Sequence, residues 1–254
     1  MSNMTGTKAC ALEANCRNEG RAFIRFDYSG HGESSGVFTD GTIGEWADDA
    51  IAVLDQVSDG PQVLVGSSMG AWIMLLVALA RPLRAAGLVG IASAPDFTEE
   101  LLWHRFDDNT RHCLQHDGVY HLGSEFDDEP YPITIKLIED GRRHLLLERP
   151  IAIHCPVRLL HGMRDQDVPW TNATRIAEKL LAEDVRVMII KDGDHRLSRD
   201  HGHAVGPTAD SGTRRRRRWP ARRCAFGAEL PESVQWRHGR VCLGAKRRGR
   251  ADGV

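Results

Sequence analysis

Val63-Leu64-Val65-Gly66-Ser67-Ser68-Met69-Gly70 is a short apolar run that closes on Gly-x-Ser-x-Gly, and residues 71–80 after it read as a helix. The order of strand, sharp turn and helix is what gives such a match meaning. It puts the middle serine, Ser68, at the turn, with its Oγ pushed out at the end of a sheet. Gly66 and Gly70 are read as making room, because a Cβ at either position would crowd the strand and helix. The backbone N–H of Met69 then points where a developing oxyanion can be held. A glycine-rich turn with an incidental serine would look the same locally, so the reading depends on what lies downstream.

Two more apolar runs end in groups that can serve as acid and base. Val157-Arg158-Leu159-Leu160-His161 leads into Gly162-Met163-Arg164-Asp165-Gln166-Asp167-Val168-Pro169. Val185-Arg186-Val187-Met188-Ile189-Ile190 leads into Lys191-Asp192-Gly193-Asp194-His195. The chain order Ser, Asp, His is one in which a nucleophilic triad is built from loops at one sheet edge. Asp165 is the preferred acid, in the first turn after His161-Gly162, and Asp167 is the alternative. Asp192 and Asp194 also fit simple turn formers. The chain has 12 histidines, most of them read as surface or structural, and His195 is singled out by its place after a strand. In the expected chemistry His195 takes the Ser68 proton as the bond forms, and Asp165 fixes the imidazole tautomer.

Around this centre, strands at 21–26, 61–65, 87–91, 157–161 and 185–190 alternate with helices at 7–18, 42–57 and 71–80. That alternation predicts an α/β fold, a mostly parallel sheet with helices on both faces. Ile43, Trp46, Ala50, Val53 and Leu54 fall on one face of the 42–57 helix. Trp72, beside the turn, reads as helix packing. Asp27-Tyr28-Ser29-Gly30-His31-Gly32 reads as a structural turn at the same sheet edge, since it carries no phosphate-loop pattern. Residues 96–150 break the alternation and are expected to form a cap. Trp103, Phe106, Tyr120, Phe126 and Tyr131 are read mainly as its own small core.

The chain carries a formal net charge of −2, which hides an asymmetry: residues 1–198 carry −11 and residues 199–254 carry +9. The second stretch includes Arg214-Arg215-Arg216-Arg217-Arg218 and has no helical or strand period. A basic binding arm, disorder without a partner and a frameshifted translation all fit it; the last is favoured, so nucleic acid is not expected as a partner. The six cysteines show no paired or zinc spacing and read as free thiols. No apolar run is long enough to span a bilayer, and no secretory or transit segment is visible at Met1. The expected location is cytoplasmic, with no cofactor and no metal.

The chain resembles the α/β-hydrolases. Within them it is similar to the mitochondrial palmitoyl-protein thioesterase and mycophenolic acid acyl-glucuronide esterase group and its bacterial relatives. Met4-Thr5-Gly6-Thr7-Lys8-Ala9, Arg25-Phe26-Asp27-Tyr28-Ser29-Gly30, Gly60-Pro61-Gln62 with Val65-Gly66-Ser67-Ser68-Met69-Gly70, Arg158-Leu159-Leu160-His161-Gly162-Met163, Val168-Pro169-Trp170 and Asp194-His195-Arg196 carry the likeness, over residues 1 to about 198. The resemblance implies a triad of Ser68, Asp165 and His195. It also implies a serine hydrolase acting on small esters or acylated proteins through an acyl-enzyme. The alternative is an impaired hydrolase core serving as an interaction module with a basic tail. Family members open with strands before the first helix, one of which supplies a second oxyanion donor. Here those strands are read as missing, through a misplaced start or a fragment.

Overall fold

The computed structural model describes residues 3–123 and 130–197. The expectations for residues 199–254 and for Phe126 lie outside them. The chain runs through α1 (Thr7–Asn18), α2 (Ile43–Val57), β1 (Gln62–Ser67), α3 (Met69–Ala80) and β2 (Ala85–Ile91). An inserted stretch follows, with α4 (Asp108–Asp117), β3 (Val119–Leu122), β4 (Tyr131–Thr134) and α5 (Ile135–Arg142). It then returns through β5 (Val157–Gly162), α6 (Thr171–Lys179) and β6 (Val185–Ile190).

The described residues form a sheet in the order β1-β2-β5-β6, and every neighbouring pair is parallel. Parallel strands need helical crossovers, which cover the sheet faces and favour unbroken apolar strands. β5 obeys this fully, being buried at all its positions. α2 begins where Thr42 Oγ1 accepts the Glu45 N–H at 3.2 Å, and it buries Ile43, Trp46 and Leu54. α3 is apolar on nearly every side and is buried from Ala71 to Leu75, as a helix at the centre of a core must be. Trp46, Trp72, Ile73, Leu75, Leu88 and Leu159 belong to one continuous core. Each such side chain contributes roughly 1.5–3 kcal/mol by leaving water.

The 21–26 segment departs from expectation. It is not a strand, and no ladder joins it to the sheet among the described residues. Phe23 still packs with Cys16 and Val63, so its apolar pattern is used in packing. A strand needs a neighbour's backbone to hold its N–H and C=O groups, and apolar side chains alone do not provide one. The cysteines at 10, 16, 113 and 155 are free.

Between β2 and β5 the insert has its own cluster. Leu114, Ile133 and Ile138 are buried, with Trp103, Phe106, Tyr120 and Tyr131 packed against them. α4 opens on Asp107, whose carboxylate accepts the Thr110 N–H at 2.7 Å, and closes on Gly118 in the left-handed region. β3 and β4 form an antiparallel pair, and Thr134 caps α5. The base of the insert is pinned by Asp96. Its buried carboxylate accepts the N–H groups of Leu146 and Leu147 at 2.8–3.1 Å, tying the outgoing chain to the returning one.

Candidate active site

Ser68 lies directly after β1 and directly before α3, with φ 54° and ψ −122°. A non-glycine residue in that region is strained, and the surrounding packing must hold it there. Gly66 shows how. A Cβ at Gly66 would sit 2.3 Å from the Gly70 carbonyl oxygen and 2.6 Å from Ala71 Cα, so only glycine lets β1 and α3 approach this closely. Gly70 differs from the sequence expectation. A Cβ there would meet only Tyr28 Oη, at 3.8 Å, because that position faces open space. The Ser68 N–H donates to the Ile91 carbonyl at 2.9 Å, and the Ser68 carbonyl accepts the Ala71 N–H, which locks both sides of the turn. Met69 is the first helical residue, so its N–H has no intrahelical acceptor.

At the same sheet edge, the loops after β5 and β6 are pressed together. A Cβ at Gly162 would lie 2.3 Å from the Gly193 carbonyl oxygen, and cross-links run from Met163 N–H to Ile190 and from Arg164 N–H to Gly193, both at 2.8 Å. That close approach brings Asp165 to His195. His195 Nδ1 donates to Asp165 Oδ2 at 2.8 Å. Asp165 Oδ1 accepts the N–H groups of Asp167 and Val168 at 3.0 and 2.8 Å. A fourth donor escaped the sequence reading: His161 Nε2 reaches Asp165 Oδ2 at 3.1 Å. Its signal was the four-residue spacing from a strand end into the turn. Burial pushes the Asp165 carboxyl up, but the hydrogen bonds from His161, His195 and Val168 outweigh it and hold the group well below the usual carboxylate range. An ionised carboxylate only accepts, so both histidines donate to it, and in the neutral imidazole of His195 it is Nε2 that carries the lone pair.

Ser68 and His195 line one cavity of about 980 Å³. No hydrogen bond joins Ser68 Oγ to His195 among the described residues; catalytic contacts of this kind often close only on substrate. Asp167 lines the same cavity but is not the hydrogen-bond partner of His195. The wall is apolar along α3, with Ile73, Met74 and Val77, and the insert adds Leu102, Leu122 and Ile133. The turn at 27–32 contributes Asp27, Tyr28 and His31. Burial pushes the Tyr28 phenol up and the His31 imidazole down; the His31 ring packs edge-on against Tyr28, Phe38 and Trp46. Lys8 also lines the cavity, and burial lowers its amine despite Asp194 and Asp165 nearby. Trp72 is fully buried, its Nε1–H donating to the His144 carbonyl, and it does not line the cavity. Asp165, Asp167 and His195 each offer one potential metal-ligand atom within 4.8 Å of the others, but Asp165 Oδ2 and His195 Nδ1 are spent on each other.

Strand ends of a parallel sheet that carry a serine turn, a carboxylate loop and a histidine loop define the α/β-hydrolase class. The chain belongs to that family: the family model described as alpha/beta hydrolase fold matches residues 8–135. It is similar to the mouse protein named palmitoyl-protein thioesterase ABHD10, mitochondrial, with 44% identity over 78% of this chain and 66% of that one. The chain thus spans just under two thirds of that relative's length. Among solved structures, a putative hydrolase from Agrobacterium vitis S4 is 44% identical with a TM-score of 0.76, covering 78% of each chain. Mouse alpha/beta hydrolase domain-containing protein 10 is 44% identical with a TM-score of 0.71, covering 77% of this chain and 78% of that one. The cytoplasmic expectation is overturned, because the mouse, bovine and human relatives are all named mitochondrial. The residues at Met1 are no guide to location in a chain that covers only part of those relatives. Among the described residues, no helix is long and apolar enough to cross a membrane.

Proposed function

We propose that the protein is a serine hydrolase that cleaves carboxylic esters or thioesters through an acyl-enzyme. The observation that carries this reading is the Asp165–His195 hydrogen bond at 2.8 Å, with His195 and the strained Ser68 on one cavity. Ser68 Oγ attacks the carbonyl carbon while His195 Nε2 takes its proton. The oxyanion is held by the Met69 N–H at the head of α3. His195 then protonates the departing sulfur or oxygen as its bond to the acyl carbon breaks. Water, deprotonated by the same imidazole, releases the acid and frees Ser68. Asp165 stays ionised throughout and steadies the imidazolium.

The apolar wall of α3 and the insert suits a long acyl chain, and the insert serves as the cap that sets specificity. The mouse relative is named for palmitoyl-protein substrates, and S-acylated proteins are the substrate class favoured here. Acyl glucuronides are the second class that the resemblance suggests. Turnover of an S-palmitoyl peptide and of a nitrophenyl ester tests the reading. Ser68→Ala is expected to lower both by on the order of 10⁴-fold or more. Unchanged turnover in a folded Ser68→Ala protein would refute it.

A further inference from the structure

His161 is a buried histidine that the mechanism above does not use. It is the next-to-last residue of β5, its side chain is 0% exposed, and it meets the acid that meets the base. Its Nε2 has two neighbours, Asp165 Oδ2 at 3.1 Å and the Val168 carbonyl oxygen at 3.1 Å. Both are acceptors, so Nε2 must carry the hydrogen. Nδ1 is buried with no hydrogen-bond partner, an uncommon state for a buried ring nitrogen. A ring kept for packing would be served better by an apolar side chain, which leaves no polar atom stranded. The retained imidazole therefore points to the one polar contact it does make, its forked donation to Asp165 and Val168.

We infer that His161 is a positioning residue that acts through Asp165, fixing Oδ2 where it can accept from His195 and sharing its negative charge. The inference rests on the proposed triad. The backbone N–H groups of Asp167 and Val168 hold only Oδ1. Oδ2 is the oxygen that faces His195, and His161 is the second donor on it. Without that donor Oδ2 is held by His195 alone, and all of the charge on Oδ2 falls on His195. Two effects follow. The imidazole of His195 loses orientation, which lowers the rate at saturation. Its imidazolium is also stabilised more strongly, so it gives up its proton only at higher pH. Among the described residues, the charged groups near the Asp165–His195 pair include Asp167 on the same loop as Asp165, Asp194 and Arg196 beside His195 in the chain, and Lys8 on α1. None of them is altered by a change at His161.

The test compares His161→Phe with His161→Gln in the full chain. Phe keeps the ring volume and removes the donor. Gln places an amide N–H at the position of Nε2. The expected result for His161→Phe is a kcat lower by about tenfold to a hundredfold at unchanged KM, with the acidic limb of the kcat/KM profile moved to higher pH. His161→Gln is expected to restore both. The titration of His195 is followed in parallel by NMR without substrate, and it should move the same way in His161→Phe and return in His161→Gln. Wild-type behaviour in folded His161→Phe would overturn the inference. So would equal losses in both variants with no pH displacement, the mark of a packing role. If the wild-type protein has no hydrolase activity, the function fails, yet the NMR titration still decides whether His161 acts on His195 through Asp165.

Discussion

Asp165 Oδ2 lies 2.8 Å from His195 Nδ1 across 30 residues of chain, and Gly162 and Gly193 make that contact geometrically possible. The carboxylate has no exposure, while the imidazole remains 21% exposed, so one partner is fixed and the other faces the cavity. A buried anion that orients a half-open base is the arrangement that serine activation requires. Asp165→Asn would keep the shape and present the wrong hydrogen to His195. Steady-state kinetics are expected to show kcat lower by on the order of 10⁴-fold. A loss of less than about tenfold would remove Asp165 from that role.

The same carboxylate links stability to pH. Its native ionisation lies below the unfolded value of about 3.9. The stabilisation is therefore fully present above that pH and is lost as pH falls through the lower, native value. Denaturant unfolding of wild-type and Asp165→Asn proteins is expected to differ most near neutral pH, by roughly 1–3 kcal/mol, and the gap is expected to narrow progressively as pH falls below about 4. A gap that widened on acidification would contradict the assignment.

The two glycines of the serine turn are expected to behave differently. Gly66→Ala forces a Cβ to within 2.3 Å of backbone, where nothing flexible can give way. It should cost roughly 1–3 kcal/mol or more and displace Ser68. Gly70→Ala meets only Tyr28 Oη at 3.8 Å and is expected to fold with a melting temperature close to wild type. Thermal melts of both variants check this; equal destabilisation would show that the turn is not as drawn.

Trp72 separates packing from substrate contact. It is fully buried and bonded to the His144 carbonyl, away from the cavity. Trp72→Phe is expected to lower stability by about 1–3 kcal/mol while leaving KM unchanged. A several-fold rise in KM at unchanged stability would instead place the ring in the substrate site.

Much of this architecture is legible in the residues. The four core strands and the serine turn follow from apolar runs bounded by glycine and polar turns, since burial on both sheet faces dictates such runs. The 21–26 segment was misread because an apolar run reports burial, and strand pairing depends on a neighbour that local sequence does not reveal. Gly70 was misread because a motif cannot tell which of its glycines faces backbone and which faces the cavity. At the site, Asp165 and not Asp167 is the residue that hydrogen-bonds His195. His161 went unnoticed because its role depends on how the turn folds Asp165 back against the end of β5.

The most direct measurement is labelling of the intact protein with a fluorophosphonate, followed by mass spectrometry of the modified peptide. The reagent reports a serine made nucleophilic by an adjacent base. The expected result is one adduct, on Ser68, that disappears in His195→Ala. An adduct on another serine, or no adduct on folded protein, would contradict the assignment of Ser68 and His195 as nucleophile and base.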